Sequence, residues 1–152
     1  MDVRIREATP GDVPALTILR RQAVEAAYRD SRDPGDVADI VDRVGGELQA
    51  RVADDSSTVL VVETEVTAVG YGVVDPATGE VPSLFVSPDY QREGFGGELL
   101  SRLQDRVADG TAPRAVAPDH AVGFFEAQGY ERVGDAEWHG LPASTLRRSV
   151  DR

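Results

Sequence analysis

The residues best equipped for chemistry lie between Gln91 and Gly97, Q-R-E-G-F-G-G, a glycine-punctuated loop that opens directly into an apolar-periodic helix. The first turn of a helix leaves its N–H groups without intrahelical acceptors and carries the positive end of the macrodipole. Phosphate oxygens can therefore be held there by main chain alone. Gly94, Gly96 and Gly97 lack a Cβ, which permits close approach of a ligand and dihedrals that other residues avoid. Two familiar phosphate loops are excluded. A nucleotide-triphosphate loop requires G-K-[ST], and the chain contains no lysine; a dinucleotide fingerprint requires a third glycine where Leu99 stands. What remains is an anion cradle of pattern Q-x-x-G-x-G, Gln91-Arg92-Glu93-Gly94-Phe95-Gly96, preceded by Val86-Ser87-Pro88.

Several elements must position this loop. Val3 and Ile5 alternate with Arg4 and Arg6 in a first strand that ends at Thr9-Pro10. A helix starting at Thr9 or Gly11-Asp12 follows, with Val13, Leu16, Leu19, Val24 and Ala27 along one stripe. After the polar break 28–35, a second helical segment spans 36–52, weakened by Gly45-Gly46, which can kink or split it. Strands over 58–63 and 67–74 form a hairpin near Thr64-Glu65, and the turn 76–79 leads into a central strand over 81–86. Tight turns between three consecutive strands predict an antiparallel meander. The cradle helix carries Phe95, Leu99, Leu100, Leu103 and Val107 inward and stops at Gly110. The crossover places a short strand over 114–117 parallel to the central one. Asp119 is a plausible N-cap for a helix through Gln128, ended by Gly129, and 130–133 with 144–148 close the sheet. From spacing alone this is an α/β (α+β) chain of one domain, 1–152, with a mixed sheet flanked by helices.

A second motif lies about thirty residues past the first: Ala121-Val122-Gly123-Phe124-Phe125-Glu126-Ala127-Gln128-Gly129-Tyr130. With Val86-Ser87-Pro88 and Gln91 to Gly96 ahead of it, the chain resembles the GNAT superfamily of acyl-CoA-dependent N-acetyltransferases. The resemblance covers most of the chain and implies a central, mostly antiparallel sheet with a V-shaped splayed cleft between the central strand and the following parallel strand. It implies acetyl-CoA as cofactor, its pyrophosphate on the backbone of Arg92 to Gly97 (Glu93 and Phe95 included) and its pantetheine arm along Leu84, Phe85 and Val86. Without the family, Leu84 and Val86 would be read as packing residues. Gln91 would bond the cradle's own backbone or a phosphate, and Arg92 would be a phosphate contact or a solvated charge.

In such relatives a glutamate eleven residues before the cradle glutamine removes the amine's proton, and Glu80 stands there; a solvated glutamate after a turn is the plain alternative. The chain departs from the family where relatives place a tyrosine beside the leaving thiolate: Phe125 fills that space and cannot donate a proton. His120 and Tyr130 flank it, and each reads first as a capping or core residue. Tyr28, Arg29 and Arg32, with Trp138-His139, fall in regions where relatives vary the acceptor pocket. The implied reaction is direct attack of a primary amine on acetyl-CoA in a ternary complex. The alternative is a non-catalytic acyl-CoA-binding sensor.

Composition narrows the rest. Asp plus Glu total 27 against 16 basic residues, all arginine, for a net charge of −11. A nucleic-acid partner is disfavoured because it requires a basic footprint. Abundant acid without lysine looks like proteins from salt-accumulating cells. Cysteine is absent, removing disulfides, thiolate catalysis and zinc–thiolate sites, and two histidines do not make a metal centre. No apolar run suits a membrane span, and the charged N-terminus is not a signal sequence, so a soluble cytoplasmic protein is expected. Acidic walls favour a cationic amine, but no motif encodes the acceptor, nor the choice between monomer and homodimer.

Overall fold

A computed structural model describes residues 3–44 and 47–149. The meander forms as expected: β1 (Val3–Glu7), β2 (Thr58–Thr64), β3 (Ala68–Val74) and β4 (Ser83–Val86) pair antiparallel in that order. Alternation decides which side each residue serves. Leu60, Val62 and Leu84 face a core shared with Leu99, Leu100 and Leu103. Val59, Val61, Tyr71 and Val73 face the opposite core, shared with Leu16 and Leu19. Helices α1 (Val13–Tyr28), α2 (Pro34–Arg43) and α3 (Leu48–Ala53) cover this second face, and α4 (Phe95–Gln104) covers the first. Glycine at position 72 is what lets α4 sit so close: a Cβ there would lie 2.5 Å from a Leu103 methyl.

The segment over 36–52 takes the split form, as two helices, α2 and α3; Gly45-Gly46, the suggested break, lie outside the described residues. Three local expectations change. The central strand starts at Ser83 rather than Val81, because Pro82 has no N–H to continue a ladder. The Val122–Ala127 helix, α5, follows a single 3₁₀ turn over Asp119–Ala121 in which the Asp119 side chain makes no cap bond. The last two strands are longer than the hydrophobic pattern indicates: β6 (Tyr130–Trp138) and β7 (Leu141–Arg148) form a hairpin through His139-Gly140. Both turn residues have positive φ, 51° and 81°, the geometry of the tight primed turns that suit twisted strands. Trp138 thus ends a strand, although the sequence suggests a loop at Trp138-His139 before the last strand.

β5 (Arg114–Pro118) pairs antiparallel with β7, completing a second sheet of order β5-β7-β6. Its expected parallel contact with the central strand is a single bridge, Glu80 with Arg114. There the Val81 N–H donates to Arg114 O at 2.8 Å and the Arg114 N–H to Gly79 O at 2.9 Å. Beyond this vertex β4 follows β3 while β5 follows β7, so the two strands diverge.

Candidate active site

The divergence opens a cleft of about 820 Å³ between β4 and β5. Its walls are Val81 to Val86 on one side and Val116 to Pro118 on the other, closed by Ala23, Val24, Ala26 and Ala27 of α1 and by Phe124 and Phe125 of α5. The Ser87 N–H donates to Val69 O at 2.8 Å, so alternation along the ladder turns the N–H and C=O groups of Leu84 and Val86 away from β3, into the cleft. This makes β4 an unpaired edge lining a slot. The Gln91 amide donates to Val86 O at 3.3 Å and ties the cradle to that edge, a bond to β4 and not to the cradle's own backbone.

The cradle stands at the mouth of the same slot. Arg92 (φ 66°) and Gly94 (φ 85°) turn the chain left-handed before α4 begins. The first bond into the helix runs from the Glu98 N–H to Gly94 O at 3.1 Å, so the N–H groups of Phe95, Gly96 and Gly97 precede any intrahelical acceptor. Gly96 and Gly97 serve packing as much as approach: Cβ atoms there would meet the Phe124 ring and the Gln128 amide, each at 3.1 Å. Gln91, Arg92, Gly94, Phe95, Gly96 and Gly97 line the cleft, as do Leu84, Phe85, Val86 and Phe125. Glu93 is exposed and does not. Arg92 makes no ion pair among the described residues, whereas Arg102 pairs with Glu98 at 3.4 Å and Arg106 with Glu7 at 3.5 Å.

The groups considered for proton transfer separate clearly. Glu80 sits at the vertex with its side chain 56% exposed, its carboxylate accepting from Arg114 at 3.1 Å, outside the set that lines the cleft. Phe125 is buried, edge-on to Phe124 at 5.2 Å and to Tyr130 at 5.3 Å. The Tyr130 hydroxyl points away from the cleft and donates to Gln104 at 2.6 Å. Burial pushes it up to about 12, with Arg148 partly opposing. His120 does line the cleft, edge-on to Tyr28 at 5.0 Å. Desolvation by the cleft walls lowers its pKa while Asp119 pulls the other way, so the imidazole is neutral at pH 7. Tyr28 is itself pushed up by burial, and the Arg32 guanidinium lies 5.7 Å from its ring centroid.

Sequence reasoning missed two contributors. Ala23, Ala26 and Ala27, small residues at helical spacing, leave the room that the cleft occupies. Arg20 is buried among the α1 contacts, and its position four residues from both Leu16 and Val24 on the apolar stripe was the available signal. At the far end Trp138 lines the cleft, and Arg43 donates to His139 O at 3.0 Å, fixing the β6–β7 turn against α2. The described residues contain no cluster of metal-ligating side chains and no helix long and apolar enough to cross a membrane.

The profile of a family described as acetyltransferase (GNAT) domain matches residues 34–141. An amino-acid acetyltransferase of Azotobacter vinelandii is 30% identical over 134 residues, 86% of this chain and 28% of that protein. One from Ectopseudomonas mendocina is 36% identical over 62 residues, 40% of this chain and 14% of that protein. The chain therefore spans well under a third of the curated relatives it matches. Among solved structures, the PaiA N-acetyltransferase of Thermoplasma acidophilum in complex with coenzyme A superposes with a TM-score of 0.80 at 13% identity, covering 97% of this chain and 99% of that one. A GCN5-related N-acetyltransferase of Rhodopseudomonas palustris gives 0.81 at 20% identity, covering 98% and 96%. At such identities these likenesses speak to the fold.

Proposed function

The chain belongs to the GNAT acetyltransferase family, and from that premise we propose that it transfers an acetyl group from acetyl-CoA to a primary amine by direct attack in a ternary complex. The observation that carries this reading is the slot itself, with an unpaired strand edge along one wall and an unsatisfied helix start at its mouth. The residues fit the cofactor. A linear ligand of this size suits about 820 Å³, its phosphates suit the N–H groups from Arg92 to Gly97, and its amides suit the exposed groups of Leu84 and Val86. When bound, acetyl-CoA supplies an activated acyl group whose C–S bond breaks as the new C–N bond forms.

The protein's own contribution is then to hold, to exclude water and to move one proton. Val116, Ala117, Phe124 and Phe125 form apolar walls that strengthen any hydrogen bond made by the Leu84 and Val86 amides. Glu80, at the vertex, takes the amine's proton through water. A second reading gives that role to His120, favoured by its place on the cleft wall and its neutral imidazole. Phe125 leaves the departing thiolate to be protonated by water, which its moderate basicity allows.

Free-thiol release from acetyl-CoA, followed against a panel of amines at high salt, tests the assignment. Release that requires both partners supports it; coenzyme A binding with no release by any amine favours the non-catalytic sensor. Glu80→Gln and His120→Gln separate the two proton acceptors, since the true one loses turnover with little change in cofactor affinity.

A further inference from the structure

Among the described residues one arginine is buried with no ion-pair partner. Arg20, on α1, is 7% exposed, and its Nε is sealed from solvent with no hydrogen-bond partner. Its neighbour Arg21 reaches Asp42 at 3.8 Å, but Arg20 takes part in no ion pair among the described residues. An arginine removed from water is unfavourable unless an anion meets it, which is why buried arginines are nearly always paired. No carboxylate among the described residues makes that pair.

The guanidinium borders a recess of about 20 Å³ on the α1 side of β4, room for one small polar group. Tyr71 stands beside it, its hydroxyl pushed up to about 12 chiefly by burial with Arg20 partly opposing, so it remains protonated and able to donate. Arg51 and Glu47 also line the recess, one of each sign, so with Arg20 its formal charge is positive. The recess and the main cleft are neighbours that share Pro82, Ser83, Phe85 and Trp138 as lining. A molecule can therefore place one end against Arg20 and the other in the cleft just past the vertex.

We propose that Arg20 is the anchor for a carboxylate on the acceptor, and that the acceptor is a free amino acid whose amine is thereby aimed into the cleft. This rests on the transferase reading. A guanidinium with a neutral phenol beside it selects a carboxylate, and a recess that holds only a headgroup leaves the amino acid's side chain to lie toward Trp138.

The test sets each of several amino acids against its decarboxylated amine (arginine with agmatine, tyrosine with tyramine, leucine with isoamylamine), following thiol release. The wild-type protein is expected to prefer the better amino acids in kcat/KM by about tenfold to a hundredfold. Arg20→Met is expected to bring that ratio near one by raising KM for the amino acid, with Arg20→Lys in between. A wild-type ratio near one, or a ratio that survives Arg20→Met, overturns the inference while leaving the transferase reading intact. Should no acceptor release thiol, the transferase reading fails. In that case, or if Arg20→Met does not fold, thermal midpoints of the wild-type protein with coenzyme A decide. A rise with an amino acid but not with its amine supports the carboxylate site; equal rises or none overturn it.

Discussion

Gly79→Ala probes the vertex from which the cleft opens. Gly79 sits at φ +79°, where its carbonyl accepts the Arg114 N–H, and a Cβ there would lie 2.5 Å from Ala112 O and 3.1 Å from Ala112 C. Those are backbone atoms, which cannot rotate aside as a side chain can. Gly110 supplies the control: its φ is nearly the same, +81°, but a Cβ would meet nothing within 4 Å. The left-handed conformation alone costs an ordinary residue roughly 1–2 kcal/mol, so Gly110→Ala should lose that much. Backbone overlap adds about 1–3 kcal/mol by the measure of overpacked sites, bringing Gly79→Ala to roughly 2–5 kcal/mol. Urea midpoints read the difference directly, and in a chain of this size each kcal/mol moves the thermal midpoint by about 2–4 °C. Ala112 lies two residues before the bridge, so relief of the overlap displaces β5, and coenzyme A affinity should fall in Gly79→Ala and hold in Gly110→Ala. Equal stability losses in the two variants would refute the claim that the vertex is sterically fixed.

Three further outcomes are expected. Tyr130→Phe should lower stability by about 1 kcal/mol, through loss of the bond to Gln104, with turnover unchanged because that hydroxyl faces away from the cleft; a fall in turnover would return Tyr130 to the chemistry. The Arg6 guanidinium holds Asp12 well below the usual carboxylate range and, with Arg4, lowers Glu63, at 2.8 Å and 2.9 Å from Arg6. Since both folded pKa values are depressed, their stabilisation is present above the unfolded values near about pH 4 and is lost as pH falls through the folded ones, so acid titration of Arg6→Met should show a shallower loss than the wild type. Coenzyme A affinity, measured by calorimetry, should rise with potassium chloride, because the net charge of −11 repels an anionic ligand until about 1 M salt shortens the Debye length to ~3 Å; a steep loss of affinity would contradict a main-chain cradle.

What the sequence showed and what it hid divide by range. The cradle was legible because its determinants are contiguous: three glycines, a helix start and a strand end within a dozen residues. The meander was legible because short apolar, β-branched runs such as Val59 to Val62 are separated by tight turns. The closing pair of strands was legible, but its full length and its turn were hidden because Glu131, Asp135 and Glu137 interrupt any apolar pattern and His139-Gly140 is not a common turn pair. Glu80 could be located along the chain but not oriented, since its carboxylate is drawn to Arg114, thirty-four positions away. The orphaned guanidinium of Arg20 was equally invisible, because a missing partner can be recognised only after every neighbour is known.

The shape of the slot follows from how few hydrogen bonds hold its apex. Among the described residues Val81 supplies the last N–H that reaches β5, and from Ser83 onward β4 runs in register with β3 instead. Past that point β4 is satisfied on its β3 side and β5 on its β7 side, leaving each with one bare edge facing the other. Bare edges inside a protein invite a further strand. The groups of Leu84 and Val86 point at that gap, and among the described residues only the Gln91 amide touches the edge, at Val86 O. A linear ligand carrying its own amides completes both edges where no segment among the described residues does.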